Sequence, residues 1–80
     1  MQRKRKMGLP MIDPEKTGEN IKVNMKKAGY TAIGLAEVMG IADKSTVYKW
    51  FRGETLPDIG NIVALAAILD VKMDDLIAIA

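Results

Sequence analysis

Eighty residues, 49% of them hydrophobic, suffice for one domain with a modest core and no more. There is no cysteine and no histidine, which excludes disulfides, thiolate or imidazole zinc sites, cysteine or serine–histidine nucleophiles and an imidazole base. The net charge of +2 is unevenly spread: residues 1–52 carry eleven of the 12 lysines and arginines against five acids, whereas 53–80 carry Lys72 alone against five acids, a division that suits a polyanionic partner for the first half.

Residues 1–12 read as a basic, flexible N-terminal tail, with Arg3, Lys4, Arg5 and Lys6 contiguous and Gly8 and Pro10 opposing regular structure. No apolar stretch of the secretory kind follows the basic run, so a cytoplasmic, nucleoid-associated location is expected. Residues 13–80 form the expected domain. Asp13-Pro14 is a helix start: aspartate caps, proline fits the first helical position, and Gly29 supplies the stop after Ala28. The apolar stripe of this first helix is Ile21, Met25 and Ala28, with Lys22, Lys26 and Lys27 left on its polar side.

Thr31 can cap a short second helix in which Leu35, Ala36 and Met39 form the apolar face and Gly40 the left-handed stop. Asp43 is the expected cap of a third helix reaching Arg52, closed by Gly53. At 100° per residue, Val47, Trp50 and Phe51 fall together as core, while Ser45, Lys49 and Arg52 lie opposite with Tyr48 at the edge. Leu56-Pro57-Asp58 is a loop ending in a cap. The fourth helix then has Ile59, Ile62, Val63, Ala66 and Leu69 as its inward stripe and is expected to be largely buried. Asp74 and Asp75 suit the first turn of a final short helix carrying Leu76, Ile77 and Ile79, a segment that either packs on helices 1 and 4 or forms a dimer seam. The longest apolar run, Ile62 to Leu69, is far short of the roughly 20 residues that span a bilayer, so no membrane association is expected.

Two short helices joined by a glycine-containing turn, with a small residue at their crossing, place one helix across a DNA backbone and the next in the major groove. The ordered set Leu35-Ala36, Gly40-Ile41, Val47, Trp50, Arg52-Gly53, Pro57, Ala64-Leu65 and Asp75-Leu76 resembles the lambda-repressor/Cro-like (XRE-type) family of bacterial and phage regulators over about Thr17 to Ile77. The resemblance implies a compact, all-α, five-helix domain containing a helix-turn-helix whose third helix reads bases. It puts Lys44, Ser45 and Lys49 at base edges with Tyr48 beside them, and Thr31 and Arg52 at phosphates. Lysine can donate to guanine, a serine hydroxyl can serve either partner, and arginine suits phosphate oxygens. Arg3, Lys4, Arg5 and Lys6 would add a sequence-independent arm.

The chain departs from the family pattern in three places. Gly40 to Val47 is one residue longer than the compact motif, which implies a wider turn. Ala32 stands where the family often has a phosphate-facing glutamine. Met25 and Phe51 stand where an arginine and a glutamate often pair, and a contact between them is expected to replace that ion pair. The expected partner is double-stranded DNA, bound by a homodimer, and the expected role is a sequence-specific regulator that represses by occupying its operator. The alternatives are an antitoxin-type protein whose acidic second half meets a protein partner, and an interaction module that has lost DNA binding. No cofactor, metal or enzymatic activity is expected: adjacent Asp74 and Asp75 point in different directions on a helix and have no partner for catalysis.

Overall fold

The computed structural model describes residues 8–80, which form five helices: α1 (Pro14–Lys27), α2 (Ala32–Met39), α3 (Ser45–Arg52), α4 (Ile59–Leu69) and α5 (Met73–Leu76). Three begin as the sequence predicts, on a side-chain oxygen that takes up a backbone donor of the first turn. Asp13 accepts from the Lys16 amide at 3.0 Å, Thr31 from Gly34 at 3.0 Å and Asp58 from Asn61 at 2.7 Å. Pro14 takes the first position of α1, where its missing N–H has no cost. Gly40 and Gly53 end α2 and α3 in the left-handed conformation, with φ of 71° and 74°. Asp70 adopts the same conformation at the end of α4, φ 56°, which aspartate tolerates better than most residues.

The buried cluster draws on all five helices: Ile21 and Met25 from α1, Leu35 and Ala36 from α2, Val47 and Trp50 from α3, Leu65 and Leu69 from α4, and Leu76 from α5. The most extensive helix pairing is α1 with α3. Gly18 allows it, because a Cβ at this position would lie 1.9 Å from the Trp50 carbonyl oxygen and 2.9 Å from that of Phe51. Where α1 meets the backbone of α3 there is no room for any side chain at all.

Several expected faces are rotated or shortened. Ala28 is exposed, and the inward side of α1 extends instead through Thr17 and Gly18. On α4 the inward stripe is Ile62, Leu65 and Leu69, while Ile59 is 83% exposed and Val63 about half. This helix is apolar almost all round, so periodicity alone could not select which stripe faces in. The expected cap of α3 acts one residue early: the helix starts at Ser45, with Lys44 at the cap position, and Asp43 closes the turn in front of it.

The final helix is a single turn that buries Leu76 and leaves Ile77 half-buried and Ile79 exposed. Beyond it the backbone is extended and pairs antiparallel with the segment before α1 through an Ile12–Ile79 bridge. The Asp13 amide donates to the Ala78 carbonyl and the Ala80 amide to the Met11 carbonyl, both at 2.8 Å. Thr17, buried in the floor beneath, accepts from the Ala78 amide at 2.9 Å, and the Asn20 amide group donates to the Leu76 carbonyl at 3.2 Å. With these partners outside a helix, continuing α5 would strand polar backbone groups that the ladder satisfies. The chain is therefore tied to its own C-terminal segment from Met11 onward.

Candidate nucleic-acid interface

Helix α3 is divided lengthwise. Val47 and Trp50 are buried, and Phe51 packs half-buried against the core cluster, of which Met25 is one member. Trp50 is thereby removed from any role in base stacking. Lys44, Ser45, Tyr48, Lys49 and Arg52 are all exposed and occupy one arc of about 140° on the helix. The face is polar and cationic, with one aromatic ring at its edge. Tyr48 stands edge-on to Phe51, ring centroids 5.9 Å apart at 86°. The Lys22 ammonium of α1 lies 5.9 Å from the Phe51 ring centre, which gives one of the four α1 lysines a defined place against α3.

At its start α3 is organised by Asp43. One carboxylate oxygen accepts from both the Ser45 amide, at 3.0 Å, and the Ser45 hydroxyl, at 2.7 Å. These bonds, first from the hydroxyl and then from the amide, hold the Asp43 carboxyl below its ordinary pKa. The serine hydroxyl has thus committed its only proton to Asp43. It keeps its lone pairs, so in this state it can accept from a base amino group but not donate to a base carbonyl.

At its end α3 is organised by Gly53. The Gly53 amide donates to the Trp50 carbonyl and the Glu54 amide to the Lys49 carbonyl, both at 3.0 Å. This closure brings the Glu54 carboxylate back onto Arg52, whose Nε donates to it in an ion pair. The pair raises the Arg52 pKa and lowers that of Glu54, chiefly through the hydrogen bond itself, and Lys49 lowers Glu54 further by charge. Neither Glu54 nor the role of Asp43 toward the Ser45 hydroxyl was apparent from the sequence. The readable signal for the first was an acid placed just past a left-handed glycine that follows an arginine.

The Thr31 hydroxyl caps α2 by accepting from Gly34 and retains its own proton as a donor toward solvent. Ala32, which replaces the family's frequent glutamine, is buried in the core. Arg3, Lys4, Arg5 and Lys6 lie outside the described residues. Among the described residues no helix is long and apolar enough to cross a membrane, and no cluster of three or more acids, histidines or cysteines could hold a metal ion.

The pattern of the helix-turn-helix family matches residues 21–76, from the middle of α1 to the end of α5. The chain belongs to the XRE-type helix-turn-helix family. Within this family of DNA-binding transcription regulators α2 and α3 are the two helices of the motif. Among solved structures the chain is similar to the restriction-modification controller protein C.AhdI from Aeromonas hydrophila, with a TM-score of 0.72 and 30% identity, covering 80% of this chain and 96% of that one. No curated protein matches the sequence.

Proposed function

We propose that this helix-turn-helix protein is a sequence-specific regulator that docks α3 in the major groove and acts by occupying its operator. The observation that carries the reading is the division of α3: a buried Val47–Trp50 side that fixes the helix, and an exposed arc of Lys44, Ser45, Tyr48, Lys49 and Arg52 that no tertiary element among the described residues covers. In this reading Lys44, Ser45 and Lys49 face base edges, Tyr48 flanks them, Thr31 and Arg52 hold phosphates, and Arg3 to Lys6 add an arm. Replacing Lys49 by alanine relaxes preference at one or two base pairs, whereas replacing Arg52 weakens all duplexes alike. Competition binding on a selected and a random duplex separates the two, and equal, purely non-specific losses from both would overturn the assignment of roles. The likeness to a restriction-modification controller protein favours restriction-modification genes as the regulated class, which a selected operator lying upstream of an endonuclease or methyltransferase frame would support.

The regulator acts as a homodimer. Support comes from an apolar groove of about 160 Å³ between Ile12, Leu56, Ile59, Met73 and Ile77, which includes no residue of α3. Ile59, Val63 and Met73 are each about half exposed or more, and Met73 joins this groove to a neighbouring cleft that Val63 lines, so the exposed apolar residues adjoin one another. Ile59→Glu, at a position 83% exposed, leaves the fold intact and gives monomers by sedimentation, with DNA binding reduced to half-site strength. A parent protein that remains monomeric at high concentration and on DNA would remove the dimer.

A further inference from the structure

The ion pair at the end of α3 touches a residue that the DNA reading uses, and this inference rests on that reading. Arg52 is assigned to a phosphate, yet in the free protein its guanidinium is already engaged by Glu54. The engagement is built in rather than accidental. Glu54 occupies the position after a left-handed glycine, and its amide is tied to the Lys49 carbonyl at 3.0 Å, so the backbone presents the carboxylate to the end of the arc. Lys49, the neighbouring cation of the same arc, is also within its electrostatic reach. Phosphate and carboxylate both offer arginine a pair of anionic acceptor oxygens, so a DNA phosphate must either take the Nε donor from Glu54 or use the remaining guanidinium donors beside a like charge. Lys72, Asp74 and Asp75 lie at the far end of the sequence and are not part of this contact.

We propose that Glu54 is an affinity-setting residue of the DNA interface: it holds Arg52 as a stand-in for phosphate and must be displaced, or must tolerate a neighbouring phosphate, each time the protein binds. Since the competition is for a phosphate contact, it lowers affinity for every duplex and leaves sequence preference unchanged.

The test compares the full chain with Glu54→Gln, Arg52→Ala and the double variant, using fluorescence anisotropy on a random and on a selected duplex across a salt series. Asp74→Asn, which changes net charge by the same amount, is the control. Glu54→Gln is expected to bind both duplexes about twofold to fivefold more tightly, the range of an exposed ion pair, with a salt dependence steeper by about one phosphate contact. The gain should disappear in the Arg52→Ala background, and Asp74→Asn should show little of it. Weaker binding by Glu54→Gln would overturn the proposal and make Glu54 a residue that orients Arg52. An equal gain with or without Arg52 would also overturn it, by reducing Glu54 to a general charge. A parent that binds and a Glu54→Gln variant that does not change would overturn this inference alone, whereas no binding by the parent at any salt would overturn the DNA interface itself and this inference with it.

Discussion

Replacing Gly18 by alanine tests the α1–α3 contact that sets where the exposed arc of α3 points. In an ordinary helix the change stabilises, by about 1 kcal/mol, because alanine is the better helix former. Here the new Cβ would lie 1.9 Å from the Trp50 carbonyl oxygen and 2.9 Å from that of Phe51. Both are backbone atoms and cannot turn aside, so the helices must separate by on the order of 1 Å or more, and overpacking of this severity costs roughly 3–4 kcal/mol. The net loss is then about 2–3 kcal/mol, a large part of the roughly 4–12 kcal/mol expected for a chain of this size. Thermal unfolding followed by circular dichroism should show Tm lowered by about 10–20 °C. Gly60→Ala is the matched comparison: its nearest neighbour would be an Asp58 carboxylate oxygen at an ordinary 3.5 Å, and it should stabilise by about 0.5 kcal/mol. A Gly18→Ala protein as stable as the parent, or more so, would refute the packing argument.

Thr17→Val keeps the shape of a buried residue but removes the oxygen that accepts from the Ala78 amide, so it should cost about 1–3 kcal/mol and speed hydrogen exchange at Asp13, Ala78 and Ala80. Unchanged exchange at those amides would mean that the terminal ladder does not depend on Thr17. The Asp43 carboxyl, held below its ordinary value of 3.8 by Ser45, supports the start of α3 at neutral pH and loses that support only as pH falls through the depressed value. A titration of the Ser45 amide by NMR should therefore have its midpoint below 3.8 and should vanish in Asp43→Asn, whereas a midpoint at or above 3.8 would contradict the hydrogen-bond pattern.

The parts of this fold legible in the sequence are those written in local chemistry. Asp13-Pro14, Thr31 and Asp58 each name a helix start because a capping oxygen satisfies donors a few residues away, and Gly40 and Gly53 name ends for the same local reason. The division of α3 was legible because its two faces differ sharply in polarity. On α4 both candidate faces are apolar, and the choice of Ile62, Leu65 and Leu69 over Ile59 and Val63 is made by the neighbouring helices. Gly18 and the terminal ladder depend on residues about 30 to 60 positions apart, which no local pattern encodes. For the interface, residue types indicated which side chains face outward. The engagement of the Ser45 hydroxyl by Asp43 and of Arg52 by Glu54 depends on turn geometry just outside the helix, and so became visible only in three dimensions.

The central claim, that the exposed arc of α3 reads base pairs in duplex DNA, is tested most directly by selecting from a pool of random duplexes with the purified protein and sequencing what is retained at two salt concentrations. The account predicts recovery of an inverted repeat with half-sites about one helical turn apart, whose enrichment persists as salt rises. Retention without enrichment, lost steeply with salt, would contradict it by showing that the basic half holds only the phosphate backbone.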